Sequence, residues 1–452
     1  MLTRRQLLAG SGASFSLRAA SAPPNIILIV ADDLGWGELG CQGNPEIPTP
    51  NIDSIARNGI RFTQAYSSAP FCSPSRAGLI TGRYQTRFGH ELNAIGKQNN
   101  LPNVGLPFSE ITLADRLRAA GYRTACIGKW HLGGSEPYHP LRRGFDEFYG
   151  FLHEGHFYVP PPYKEVVSRL RAKEPPYDEE NPLRRNGGTL TESAYLTEAL
   201  TREACAFIDR SIDQKREKPF FLYLPYNAVH SPMQATPKDL GRFSRIADAH
   251  RRIFAAMLAS MDDGVGQVLS TLRKHRIENN TLVMFVSDNG GPTEELTSSN
   301  GPLRGRKGLL WEGGIRVPMM MQWKGRIPSG RLYQHPVIHL DLFATALAAA
   351  QAKPPTHRVI DGVDLLNKGK SRPHETLFWR HGRWYALRKG DHKLVYQAAR
   401  GSQQATLELF DLGKDPTESN DIASTKPQLL SELKSEWDRL NAQMVAPLWG
   451  RG

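Results

Sequence analysis

What most restricts the fold is one design met three times: an apolar run that stops at carboxylates, an amide or a histidine. Asn25 to Asp33 reads NIILIVADD, Thr281 to Gly291 reads TLVMFVSDNGG, and Pro219 to Pro232 reads PFFLYLPYNAVHSP. A strand with one wet face alternates apolar and polar residues, whereas a parallel strand covered on both faces is apolar throughout. These runs are of the second kind. Between them, EITLADRLRAAGYRT, AYLTEALTREACAFIDRSI and IADAHRRIFAAMLASMDDGVGQVLSTLRKH carry apolar residues at helical spacing. The alternation predicts an α/β fold, a large mostly parallel sheet flanked by helices on both faces. Ligands of open α/β sheets sit beyond the carboxyl ends of the strands. The three polar endings are therefore expected to meet.

The chain of 452 residues is long enough for such a domain and one further piece. We place the main domain at residues 23–352, with a Pro-, Glu- and Arg-rich surface insertion at 158–186. After about Lys353 the texture changes to alternating segments, TLFWRHGRWYALRKGDHKLVYQ and TLELFDLGKDPTESNDIA, with turns at Gly390-Asp391 and Asp415-Pro416. The helix-like KPQLLSELKSEWDRLNAQM follows, so residues 353–452 read as a small α+β subdomain carrying an antiparallel sheet. Residues 1–22, with Arg4-Arg5, a short apolar stretch and an Ala/Ser-rich exit, have the form of a twin-arginine export signal. A periplasmic or secreted protein is expected. No later segment is apolar over the roughly twenty residues a membrane span needs.

The net charge of +12 comes from 57 Lys and Arg against 45 Asp and Glu. The basic residues are scattered, without interleaved aromatics, which argues against a nucleic-acid partner. Cys41, Cys72, Cys126 and Cys205 have neither metal-type spacing nor the pattern of a disulfide framework.

Asp32 and Asp33 end the first run side by side. Adjacent strand residues point to opposite faces, so both converge only where the strand breaks into a loop, which Gly35 and Gly37 permit. Neighbouring carboxylates repel unless a cation or hydrogen bonds compensate. Asp288 and Asn289 add a carboxylate and an amide oxygen at another strand end, and the four describe an oxygen-lined site for a hard divalent ion. Cys72 stands in FCSPSRAGLITGR near Arg76 and Arg83. Nearby cations draw a thiol towards thiolate, so Cys72 is a candidate nucleophile or ligand, with a surface turn as the plain alternative.

CSPSR followed by LITGR, then GKWHLG, HSP, DNGG and GRKGLLWEGGIRVP, resembles in content and order the formylglycine-dependent (type I) sulfatases of the alkaline-phosphatase-like superfamily. The resemblance runs from about Asn25 to at least Pro318. It implies a sulfatase in which Cys72, with Pro74 and Arg76, is oxidised by a maturation enzyme to formylglycine. A hydroxyl of the hydrated aldehyde attacks sulfur, the alcohol leaves, and the second hydroxyl loses its proton as sulfate departs. It further implies one divalent metal, calcium with magnesium as the alternative, on Asp32, Asp33, Asp288, Asn289 and modified Cys72. Arg76, one helical turn beyond Cys72, would hold the diol. Lys129 and His131, which alternate along an extended GKWHLG, resemble a sulfate-binding lysine and the base for the second hydroxyl. His230 and Lys307 resemble the pair that binds sulfate and supplies the leaving alcohol's proton. His156, in FLHEGH, is a candidate substrate contact.

The expected substrate is an O-sulfate monoester, on a sulfated saccharide or a small aryl molecule. The alternatives are a phosphonate or phosphodiester hydrolase of the same superfamily, and a silent binder of sulfated polymers, which the intact set of site residues disfavours.

Overall fold

The computed structural model describes residues 22–160, 167–169, 177–214, 218–367, 371–398 and 404–450. Residues 1–21 of the expected export signal (1–22), and residues 161–166 and 170–176 of the expected insertion, lie outside them.

Each apolar run is a strand. β1 (Asn25–Ala31), β2 (Arg123–Lys129), β3 (Glu147–Phe151), β4 (Phe220–Pro225) and β5 (Thr281–Ser287) are parallel, in the order β5-β1-β4-β2-β3. Antiparallel β6 (Met319–Gln322) continues the sheet beyond β5, and short strands extend both edges to ten in all. Every residue of β1, β4 and β5 is buried. That is what the absence of polar alternation required.

One face packs on α2 (Leu196–Gln214) and α3 (Ala249–Lys274), through residues such as Phe207, Ile208, Met257 and Val265. The other packs on α1 (Cys72–Thr81) and α4 (Asp341–Ala349), through Leu79, Ile80, Phe343 and Ala346. Asp248 caps α3 by accepting from the Arg251 backbone N–H. In the expected insertion, Tyr158 and Asn181 are buried and Arg184 pairs with Gly150 of β3.

The carboxyl-terminal piece is a four-stranded antiparallel sheet, β7 (Thr376–His381), β8 (Trp384–Lys389), β9 (His392–Ala398) and β10 (Ala405–Asp411). The Gly390-Asp391 turn joins β8 to β9. Asp415 organises a turn after β10, where its carboxylate accepts from the backbone of Ser419 and Asn420. Helix α5 (Pro427–Asn441) lays Trp437 on Phe378 and Tyr385, with ring centroids 5.7 and 4.2 Å away. All four cysteines are free. Among the described residues no helix is long and apolar enough to cross a membrane.

Candidate active site

The parallel strands deliver the acidic pairs to one place. β1 and β5 run in register from Asn25–Thr281 to Ala31–Ser287, so Asp32 and Asp288 leave the sheet side by side. The Asp288 backbone N–H donates to the Ala31 carbonyl, and that of Asp32 to the Ala228 carbonyl beyond β4. Asp33 turns back because its own backbone is left-handed, at φ 64°. Three buried donors and acceptors hold it there. Its N–H reaches Asp288 Oδ1 (3.2 Å), its carbonyl accepts from Ser298 Oγ (3.1 Å), and the next N–H, of Leu34, reaches Ser287 Oγ (3.1 Å). Gly35 and Gly37 serve differently from the expectation. A Cβ at Gly35 would stand 2.2 Å from the Ser299 carbonyl oxygen, and one at Gly37 would stand 2.5 Å from the Gly301 nitrogen. They allow close approach, while Asp33 makes the turn.

The motif containing Cys72 opens α1, so Cys72 and Arg76 lie one turn apart, both buried. Cys72 Sγ is 3.4 Å from Asp32 Oδ1 and 3.8 Å from Asp33 Oδ1. Ligand atoms of Asp32, Asp33, Cys72 and Asp288 fall within 4.8 Å of one another. Asn289 Nδ2 donates to Asp33 Oδ1 (2.7 Å), and its Oδ1 is buried without a protein partner. Buried polar atoms are nearly always paired. A spare amide oxygen beside three carboxylates is a donor set of the hard, oxygen-only kind that suits a divalent cation such as calcium.

Arg76 spans Asp288 (Nη2 to Oδ2, 2.8 Å), Asp32 (3.6 Å) and the Lys129 carbonyl (3.1 Å). It therefore braces the carboxylates as well as facing Cys72. Lys129 ends β2, and its Nζ meets Asp32 Oδ2 at 2.6 Å. Lys307 Nζ meets Asp33 Oδ2 at 2.7 Å, and His230 Nε2 stands 3.6 Å from the same oxygen. The site thus holds Asp32, Asp33 and Asp288 against Arg76, Lys129 and Lys307, three charges of each sign.

Burial pushes the Asp32 carboxyl up to about 7; Lys129 and Arg76 pull against this, and Asp288 and Asp33 add to it. Burial acts on Asp33 too, but Lys307, His230 and Lys129 outweigh it and hold Asp33 well below the usual carboxylate range. The expected thiolate at Cys72 is corrected. Burial raises the thiol well above its ordinary value despite Lys129 and Lys307, and Asp288 and Asp32 reinforce the rise. As cysteine, residue 72 is a protonated thiol among hard oxygens.

His131 also departs from expectation. β2 stops at Lys129, and His131 sits beyond it at φ 54°, not on an alternating strand. Its Nε2 is 2.8 Å from the Ala94 carbonyl, which can only accept, so Nε2 carries the proton. Nδ1 is buried with no protein partner. Burial, then Lys129, pushes this imidazole well below its ordinary range. It is a neutral imidazole with a fixed tautomer.

Sequence reasoning missed what fixes it. Ser73 Oγ donates to the His131 carbonyl (2.7 Å) and lies 2.7 Å from His90 Nε2, while the Ser73 N–H donates to Asn93 Oδ1 (2.9 Å). The only available signal was position, since Ser73 follows Cys72 and His90 and Asn93 fall in the next loop.

His156 is buried, with Nδ1 2.7 Å from the Phe157 carbonyl, and it lines a cavity of about 760 Å³ with Glu179, Thr189, Thr191 and Glu192. A Cβ on the preceding Gly155 would stand 3.4 Å from His230 Nδ1, so the backbone beside His156 runs close to His230. His153 is turned to Asn100 instead (2.8 Å).

Comparison with known proteins bears on the chain as a whole. The family described as Sulfatase matches residues 24–352, and the one described as N-sulphoglucosamine sulphohydrolase, C-terminal, matches residues 306–443. N-acetylgalactosamine-6-sulfatase of Canis lupus familiaris is 36% identical over 95% of this chain and 87% of its own length. Steryl-sulfatase of Mus musculus is 34% identical over 79% of this chain and 68% of its own length. The solved structure of Ps i-CgsB in complex with k-i-k-neocarrahexaose superposes with a TM-score of 0.87 at 36% identity, covering 95% of both chains.

Proposed function

The chain belongs to the sulfatase family and is a sulfuric ester hydrolase; from that premise we propose that it removes O-sulfate from a carbohydrate, using formylglycine at position 72 and one calcium ion. The observation that carries this reading is the convergence of Cys72 Sγ on Asp32 (3.4 Å) and Asp33 (3.8 Å), with Lys129 and Lys307 paired to those same carboxylates. A buried, protonated thiol has no ready use there. The geminal hydroxyls of a hydrated formylglycine would supply the nucleophile at sulfur, and the cation would draw off charge as it forms.

The chain's own residues explain the preference for an anionic ester. Three carboxylates and three cations cancel, so a divalent cation on Asp32, Asp33, Asp288 and Asn289, with His230 carrying the proton it gives away, leaves a net +3. A sulfate monoester brings −1 and a deprotonated nucleophile another −1.

Lys129 and Lys307 hold the sulfate oxygens. His131 takes a proton at Nδ1, because Ala94 keeps Nε2 protonated. His230 Nδ1 lies 2.7 Å from the Ser231 carbonyl and donates to it, so the proton His230 gives to the leaving oxygen is on Nε2. That nitrogen stands 3.6 Å from Asp33 Oδ2. The cavity beside His156, walled by Thr189, Thr191, Glu179 and Glu192 together with Pro160, Pro182, Leu183 and Leu190, mixes polar and apolar surface as a saccharide does. The relatives' names, an N-acetylgalactosamine-6-sulfatase and a carrahexaose complex, support a saccharide.

The twin arginine at 4–5 supports export, with maturation of Cys72 by a formylglycine-generating enzyme.

The test is sulfate release from a panel of defined sulfated saccharides by protein matured in a competent host, with mass spectrometry of the Cys72 peptide. Formylglycine at 72 and turnover of at least one saccharide are expected. Unmodified thiol in active protein, or faster hydrolysis of aryl phosphate than of aryl sulfate, would overturn the reading.

A further inference from the structure

Asn227 stands out among the buried amides. Asn25, Asn181 and Asn300 each have both ends of the side-chain amide tied to protein partners. Asn25 bonds Thr281 and Phe220, Asn181 bonds Leu152, His153 and Gly155, and Asn300 bonds Gly291 and Gly305. Asn227 is 1% exposed, yet neither Oδ1 nor Nδ2 has a protein partner. Burying an amide without hydrogen bonds is unfavourable, and cores do not tolerate it without a return. The fold gains nothing from this side chain.

Its surroundings show where a return would come from. β4 lies between β1 and β2 in the sheet, and Asn227 follows its end. Of the neighbouring strands, β2 ends in Lys129 and β1 is followed by Asp32, and these two side chains meet at 2.6 Å. The main chain around Asn227 is clamped to the same group. The Asp32 N–H donates to the Ala228 carbonyl (3.0 Å) and the Val229 N–H to the Asp32 carbonyl (2.9 Å). Tyr158 Oη donates to the carbonyls of Asn227 (2.8 Å) and His230 (2.9 Å), and the His230 N–H donates to the Asn227 carbonyl (2.8 Å). The carbonyls of Asn227, Ala228 and His230 are all taken, while the Asn227 side-chain amide is not.

We propose that Asn227 is a further substrate-contacting residue, whose side-chain amide is held unpaired at the end of β4 for an oxygen of the bound sulfate. This rests on the sulfatase reading above. An amide suits the position because it adds a donor for a sulfate oxygen without altering the charge balance. It also adds an acceptor for an ammonium or hydroxyl hydrogen brought beside it.

The experiment compares wild type with Asn227→Ala and the near-isosteric Asn227→Asp. Inorganic sulfate is titrated calorimetrically, p-nitrophenyl sulfate is turned over, and thermal midpoints are recorded. Asn227→Ala is expected to weaken sulfate binding at least fivefold and kcat/KM at least tenfold, with a midpoint equal to or above that of wild type. Asn227→Asp, which sets a carboxylate against the anion, is expected to lose more of both. Unchanged sulfate affinity in both variants would overturn the proposal. So would a midpoint lowered by several degrees in Asn227→Ala with kcat/KM per folded molecule unchanged, the mark of a structural amide. Sulfate binding is read without turnover, so a wild type that binds sulfate but hydrolyses no ester would refute the enzymatic reading while still judging Asn227.

Discussion

Two clusters of charge are buried in this molecule, and they are finished differently. Where the carboxyl-terminal sheet meets the main domain, Lys393 of β9 bridges Glu312 and Glu418 at 2.8 Å each. Glu312 also accepts from Tyr66 (2.7 Å) and Arg316 (3.3 Å), and Glu418 from the Glu312 N–H (2.6 Å). All four carboxylate oxygens are taken. At the ends of β1 and β5 the carboxylates are as deeply buried, but Asn289 Oδ1, His131 Nδ1 and both amide atoms of Asn227 are left without protein partners. A cluster that serves only stability closes on itself, and one that serves chemistry keeps places for what it binds.

The sharpest way to break that contrast is to remove one member of each cluster. Cys72→Ala is expected to lower turnover by at least about 10³-fold, as loss of a covalent nucleophile does. The thermal midpoint should hardly move, because no charge loses its partner. Residual activity above a tenth of wild type would mean the chemistry does not run through position 72. Lys393→Met should do the opposite. It strands two buried carboxylates, and the expected loss is about 3–5 kcal/mol in urea unfolding, with kcat per folded molecule preserved. Adding Glu312→Gln and Glu418→Gln should recover much of the loss, since a whole buried ion cluster can be replaced by neutral groups at little cost. If the single variant unfolds normally but loses turnover, the domain boundary is part of the active site and the comparison fails.

A third measurement sharpens it by ligand. Calcium added to metal-stripped wild type should raise stability by about 2.7 kcal/mol at a hundredfold excess over its dissociation constant. Asp288→Asn should abolish that response, and Glu418→Gln should leave it intact. An equal response in all three proteins would place the ion away from the ends of β1 and β5.

The same contrast governs what was legible in the sequence. β1, β4 and β5 were readable because a doubly covered parallel strand excludes polar residues, and the metal-type carboxylates followed because they sit where those runs stop. Cys72 and Arg76 were placed by their spacing on one helical turn. The conformation of Asp33 and His131 was not readable, since a left-handed non-glycine residue leaves no mark on composition and is held by remote groups such as Ser298 and Ala94. Nor was the state of the thiol. Nearby arginines suggest a lowered pKa, but burial outweighs them, and burial at Cys72 is a property of the assembled domain. Nothing in the alternating segment marks Lys393 as buried, and its two partners, Glu312 and Glu418, lie outside its own strand.

The smallest expected effect is also the most specific to the domain boundary. Burial pushes the Glu418 carboxyl up to about 7, with Lys393 opposing and the Glu312 charge adding to the rise. Burial acts on Glu312 as well, but Lys393, Arg316 and Arg388 hold it well below its ordinary range. A carboxyl raised on folding contributes stability that is complete below its unfolded value and lost as pH climbs through its folded value; a lowered one contributes stability that is lost as pH falls. Between pH 5 and 8 the Glu312 contribution is therefore level, and the slope belongs to Glu418. Wild type should lose on the order of 1 kcal/mol across that window from this cluster, because Lys393 sits between both carboxylates and offsets part of the newly formed charge. Glu418→Gln carries no proton to lose, so its unfolding free energy should run flatter with pH while its sulfatase pH profile stays that of wild type. Parallel stability curves for the two proteins would mean that Glu418 is already ionised at pH 5, with Lys393 and the Glu312 N–H sufficient to hold two full charges apart.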